Sequence, residues 1–106
     1  MKIEFDTNQY IKDLQKSNNY FHTFINRESL ATGLLVLEPG EEDTQCPHES
    51  DEVYYVVQGN GFLKIKEKDY PVSPGKIFFV AKDIKHYFHG NSKKLIVLYF
   101  FVGPDS

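Results

Sequence analysis

From Tyr20 onward the chain alternates short apolar runs with clusters of Gly, Pro, Asn and Ser, the pattern of β-strands joined by turns. The runs are YFHTFIN (20–26), LATGLLVL (30–37), EVYYVVQ (52–58), FLKIKEK (62–68), KIFFVA (76–81), HYFH (86–89) and LIVLYFFV (95–102). Gly59-Asn60-Gly61 predicts a hairpin between the third and fourth runs, because Gly and Asn tolerate the positive φ of such turns. In FLKIKEK, Lys64, Lys66 and Lys68 alternate with Leu63, Ile65 and Glu67. That predicts one half-exposed strand whose charges discourage edge pairing. LIVLYFFV is apolar on both faces, so both need cover. One would face the interior and the other a second subunit or the opposite sheet. Ahead of the strands, residues 1–19 form an extension with one helical signal. Thr7 is its expected N-cap, Tyr10, Ile11 and Leu14 share a face, and Ser17-Asn18-Asn19 ends the pattern.

Length and charge narrow this all-β picture. At 106 residues the chain is expected to form one domain. The aromatic share, 15%, with no Trp, favours β structure over a helical bundle. A net charge of -3 argues against nucleic acid as partner, since neutralising phosphates needs a basic face. No membrane partner is expected either. The amino end is too polar for a secretory signal, and no apolar run approaches the ~18 residues of a span. The single cysteine, Cys46, cannot form an internal disulfide, which fits a reducing cytoplasm.

Candidate chemistry lies in PGEEDTQCPHESDEVYYVVQGNG, residues 39–61. Cys46, His48 and Glu52 are separated by even numbers of residues, so an extended backbone points them to one side, with Tyr54 and Val56 continuing that side into the core. A carboxylate aimed inward without a partner is costly, so Glu52 needs a hydrogen-bonding group or a cation. His86 follows KIFFVA after a short polar turn, where two strands could bring it beside His48. Two imidazoles and one carboxylate make the ligand set of a facial triad, which suits non-haem iron. His89 lies three residues on and turns to solvent, and His22 has no assigned role. Glu41, Glu42, Asp43, Glu49 and Asp51 read as a polar rim. Tyr54, Phe79, Phe88 and Tyr99 read as barrel lining or core, with an aromatic pocket for a small organic molecule as the functional alternative.

At these residues the chain resembles the small single-domain cupins. The first cupin motif runs Gly, five residues, His-x-His, three or four residues, Glu, six residues, Gly. Here it reads Gly40, Cys46-Pro47-His48, Glu52 and Gly59, spanning residues 40–61 with the turn that follows. The second, residues 75–91, reads Gly75, Ala81-Lys82-Asp83, His86, with Gly90 at the motif's Asn position and Asn91 one later. Cys46 replaces the first family histidine, and the Pro and Gly of the second motif are missing, although Asp83 can also make a turn. The resemblance implies a double-stranded β-helix, or jelly-roll barrel, with a short N-terminal helix, and often a homodimer. It also implies one divalent metal ion on His48, Glu52, His86 and the position of Cys46. Cys46 as a bound thiolate favours zinc or copper; as a thiol turned aside it leaves a triad for iron, nickel or manganese. The implied function is a mononuclear metalloenzyme of dioxygenase, isomerase or lyase type acting on a small molecule, with Tyr54 or Tyr99 as proton donor if inward. The alternatives are a non-catalytic metal or ligand module with a closed Cys/His/Glu/His site, and a metal-free structural domain.

Overall fold

A computed structural model describes residues 1–45 and 47–104; Cys46 lies outside the described residues. One helix, α1 (Thr7–Gln15), precedes β1 (Phe21–Asn26), β2 (Ala31–Leu37), β3 (Glu52–Gln58), β4 (Phe62–Ile65), β5 (Lys68–Pro71), β6 (Ile77–Val80), β7 (His86–His89) and β8 (Leu95–Phe101). Two antiparallel sheets form, one in the order β1-β2-β8-β3-β6 and one in the order β5-β4-β7. Between them lies the main core, in which Leu35, Tyr54, Val56 and Val97 of the larger sheet meet Leu63 and Phe88 of the smaller. No helix among the described residues is long and apolar enough to cross a membrane.

Three strand expectations change. Gly59-Asn60-Gly61 does not close a hairpin: β3 pairs with β8 and β6, while β4 pairs with β5 and β7. The turn instead carries the chain from one sheet to the other. Gly59 has φ 106°, and a Cβ there would overlap the Lys94 carbonyl, so a glycine is needed for the crossing as much as for a hairpin. FLKIKEK is not one strand, because the chain reverses at Lys66-Glu67 into the β4–β5 hairpin. Lys66 takes the left-handed φ of 57° there, a conformation a lysine pattern does not announce. Phe79 is 61% exposed rather than core. Register explains it: Val80 lies opposite Glu52 and Phe78 opposite Tyr54, so Phe79, opposite Val53, points outward.

The second face of β8 also finds a different cover. Leu14, Tyr10 and Ile11 of α1 pack over Leu34 and Val36 of β2 and Ile96 and Leu98 of β8, a second apolar cluster outside the larger sheet. Tyr10 stacks on Phe24 with ring centres 4.9 Å apart. Asp6, not Thr7, caps the helix, its carboxylate accepting from the Asn8 N–H at 3.0 Å. A carboxylate caps as well as a hydroxyl and also suits the positive end of the helix dipole. Beyond the reach of α1, the same sheet face leaves Tyr55, Val57, Ile77, Phe79, Phe100 and Val102 partly exposed.

Phe88 is 1% exposed and meets Tyr54 edge-on across the two sheets, with centroids 4.9 Å apart. Phe88→Ala should therefore cost about 3–5 kcal/mol of unfolding free energy, read by urea denaturation. A loss below about 1 kcal/mol would mean that the two sheets do not meet at this ring.

Candidate metal centre and cavity

Glu52 is the first residue of β3, in register with Val80 and Phe101 of its two neighbours. Strand alternation turns it inward with Tyr54 and Val56, as its spacing predicts. His86 is the first residue of β7, in the opposite sheet, so its ring reaches Glu52 across one end of the core. His48 stands in the loop before β3. Its carbonyl accepts from the Asp83 N–H at 2.8 Å, which ties this loop to the turn before β7. Asp83 holds φ at 63°, doing the turn work of the family's missing Gly. The His48 ring packs on Phe101, with centroids 4.5 Å apart, and lies 5.8 Å from the His86 ring.

The side-chain atoms converge. His86 Nε2 is 3.1 Å and His48 Nε2 3.9 Å from Glu52 Oε1, and one ligand-type atom from each residue lies within 4.8 Å of the others. Glu52 and His86 are only 2% and 3% exposed. The structure thus brings together His48, Glu52 and His86. His89 is turned away, its Nε2 2.8 Å from Asp69 Oδ1 on the outer side of the smaller sheet. His22 is exposed beside Tyr10 and Phe24.

Protons are scarce at this cluster. His86 Nδ1 lies 2.8 Å from the Ile84 carbonyl, which only accepts, so Nδ1 carries a proton, and whenever the ring is neutral Nε2 turns a lone pair toward Glu52. The Tyr54 hydroxyl has one proton for two acceptors, Gln45 Oε1 at 3.0 Å and His86 Nε2 at 2.9 Å. Glu52 Oε1, though close to His86, has no aligned hydrogen-bond donor. A buried carboxylate facing further lone pairs calls for positive charge. His86 shows the demand. Burial opposes its proton, but Glu52, the Ile84 carbonyl and Asp43 outweigh that, and its pKa is raised from 6.5. Burial and the charges of Glu52 and Asp43 push the Tyr54 phenol well above its ordinary 10.0, so it stays protonated.

Two further residues escape the sequence pattern. Asp43, expected on a polar rim, is 7% exposed. Its Oδ2 accepts from the Phe88 N–H at 2.8 Å and from Gln45 Nε2 at 2.7 Å, and its Oδ1 from the Tyr20 hydroxyl at 2.9 Å. Nothing local in GEED separates it from Glu41 and Glu42; its partners Tyr20 and Phe88 lie 23 and 45 residues away. Gln45, beside Cys46, turns its carboxamide into the same network.

A cavity of about 460 Å³ opens from the cluster. Its walls include Tyr20, Phe21, Tyr54, Tyr99 and Phe101, with Thr44 and Asn26 as polar points, and no Lys or Arg among the described residues. Tyr99 and Tyr54 are both inward. The Tyr99 hydroxyl shares a 2.7 Å hydrogen bond with Thr23, its ring filling space that a Cβ at Gly33 would occupy.

The raised pKa of His86 carries a sign. In metal-free protein its proton-linked stabilisation is fully present below pH 6.5 and is lost as pH rises through the raised value. With chelator present, the stability advantage of wild type over His86→Gln should shrink as pH rises above 6.5. An advantage that grows with pH would show that the buried ring prefers its neutral form.

The family and its structural relatives agree with this architecture. The Cupin domain model matches residues 33–103. An uncharacterised protein of Streptomyces coelicolor is 35% identical over 83 residues, 78% of this chain and 79% of that one. Among solved structures, an RmlC-like cupin with a double-stranded β-helix fold from Methanocaldococcus jannaschii superposes with a TM-score of 0.73 at 19% identity, covering 79% of each chain. The lyase DddQ from Ruegeria pomeroyi, a DMSP lyase, does so with a TM-score of 0.72 at 17% identity, over 78% of this chain and 46% of its own. At such identities these two share the fold, and with the family match over two thirds of its length the chain belongs to the cupin family.

Proposed function

We propose that the protein is a mononuclear metalloenzyme acting on a small organic molecule, with His48, Glu52 and His86 holding one divalent ion at the base of the aromatic cavity. The observation that carries this reading is the buried Glu52 Oε1 with no aligned donor, faced by two imidazoles. Two nitrogens and a carboxylate fit iron, nickel, manganese or zinc, and Cys46 as a thiolate would add copper to that range. The ion would supply Lewis acidity toward a substrate oxygen. The chain's own groups do the rest. Tyr20, Tyr99 and Phe101 wall the substrate from water, and Tyr54 keeps its proton beside the ligand cluster. The absence of Lys and Arg from the described walls favours an uncharged substrate over a free carboxylate or phosphate. The cavity next to the cluster favours catalysis over a closed binding module, and a protein of like fold, that from Ruegeria pomeroyi, is a lyase by name.

Protein purified without chelator should carry about one ion per chain by mass spectrometry, and that ion at 100 times its Kd should stabilise wild type by about 2.7 kcal/mol. His86→Ala and Glu52→Gln should lose at least about tenfold in affinity. The same content in Cys46→Ser would keep the open triad. Loss of zinc or copper with that change would favour the closed module.

The reading includes a homodimer across the uncovered sheet face. Tyr55, Val57, Ile77, Phe79, Phe100 and Val102 carry no charge and are contiguous through the pairings Tyr55–Ile77, Val53–Phe79 and Val53–Phe100. Six such side chains present on the order of 600 Å², approaching the roughly 800 Å² one partner contributes to a standard interface. A second copy offers the same patch, and two copies related by a twofold axis would cover both. Light scattering should give twice the chain mass for wild type and the single mass for Ile77→Lys/Phe79→Lys; a wild-type monomer at micromolar concentration would rule the dimer out.

A further inference from the structure

Gln45, like Tyr54, brings a neutral oxygen to the ligand cluster. Its Oε1 lies 3.4 Å from His48 Nε2 and 3.0 Å from the Tyr54 hydroxyl. Its Nε2 lies 2.7 Å from Asp43 Oδ2. The second contact decides which way the amide faces. Asp43 is buried and already accepts from the Phe88 N–H and the Tyr20 hydroxyl, so it acts as an acceptor. Turning the amide over would set carbonyl oxygen against carboxylate oxygen in a half-buried place, which loses the hydrogen bond and adds repulsion. The NH₂ is therefore held on Asp43, and the oxygen is aimed at His48 and the cluster. An oxygen so placed adds one more lone pair to the site, and the Tyr54 hydroxyl proton beside it is shared with His86.

We infer that Gln45 Oε1 is a further ligand of the metal ion, an inference resting on the reading of His48, Glu52 and His86 as its holders. The donor set becomes two imidazole nitrogens, one carboxylate oxygen and one amide oxygen. An amide oxygen is a hard, uncharged donor, so it strengthens the hold on the ion without cancelling the charge that Glu52 leaves on it. Asp43 serves as its positioning residue, and Tyr20 and the Phe88 backbone position Asp43 in turn. The preference for one amide orientation is thus built from Phe88 in the smaller sheet and from Tyr20 just ahead of β1.

Cobalt(II), a spectroscopic probe of coordination, tests this on metal-free wild type, Gln45→Ala, Gln45→Glu, Gln45→Glu with Asp43→Asn, Tyr54→Phe and His86→Ala, with thermal unfolding in chelator showing that each variant folds. Gln45→Ala should weaken cobalt affinity about tenfold or more and shift the visible ligand-field bands. Gln45→Glu alone sets a carboxylate oxygen against Asp43 and should not restore wild-type affinity, whereas Gln45→Glu with Asp43→Asn, which supplies a donor there, should; Tyr54→Phe should leave the bands in place. The idea is overturned if Gln45→Ala keeps both bands and affinity while His86→Ala loses cobalt; the metal reading would then stand without Gln45. It is also overturned if Gln45→Ala, Tyr54→Phe and the variant carrying both of these changes all lose the same amount, because Gln45 would then act only by holding Tyr54. No cobalt bound by wild type would remove both readings at once.

Discussion

Glu52 places a carboxylate at the seam between two sheets, where 2% of the residue is exposed and the described cavity walls hold no lysine or arginine. Removing such a group from water costs several kcal/mol unless positive charge or directed donors answer it. Much of the local structure is arranged around that cost. β3 delivers the carboxylate from one sheet and β7 delivers His86 from the other, while the His48 loop is tied back to the turn before β7. The raised pKa of His86 is the same demand met by a proton, and a bound cation would meet it in the proton's place. Binding of an ion at this site would release that proton, the two being sides of one equilibrium.

The inward set was legible because strand alternation is a strict rule. Once Glu52 is placed at the head of a strand, Tyr54 and Val56 must follow it inward, and they do. The partnership with His86 was legible only through motif spacing, since nothing in strand periodicity says which strands of a jelly roll face each other. Asp43 and Gln45 were not legible as parts of the site. Their contacts are set by where Tyr20 and Phe88 arrive after folding, and an acid in GEED has no local mark of burial.

The misread turns share a cause. Gly59-Asn60-Gly61 marks a place where the backbone needs positive φ, and that need is the same for a hairpin and for a step between sheets. Conversely, Lys66-Glu67 makes a true hairpin without any glycine, paid for by the pairing of β4 with β5 on either side. Phe79 shows the limit of composition: an aromatic residue in a strand has two faces to choose from, and the register with Val53 chose the outer one. The cover over Ile96 and Leu98 came from α1, whose own amphipathic face was visible but whose docking site was not.

The position of β8 between β2 and β3 has a consequence for how the chain is made. β2 is buried along its whole length, and on one side its backbone partner is residues 95–101. A nascent chain emerging from the ribosome can form the β1–β2 hairpin early, yet the edge of β2 that awaits β8 stays unpaired until more than fifty further residues have been added. The five-stranded sheet therefore cannot assemble in step with synthesis. It can close only once β8 is made and takes its place between β2 and β3, and until then the growing chain leaves an unpaired strand edge to which chaperones or other nascent chains have access.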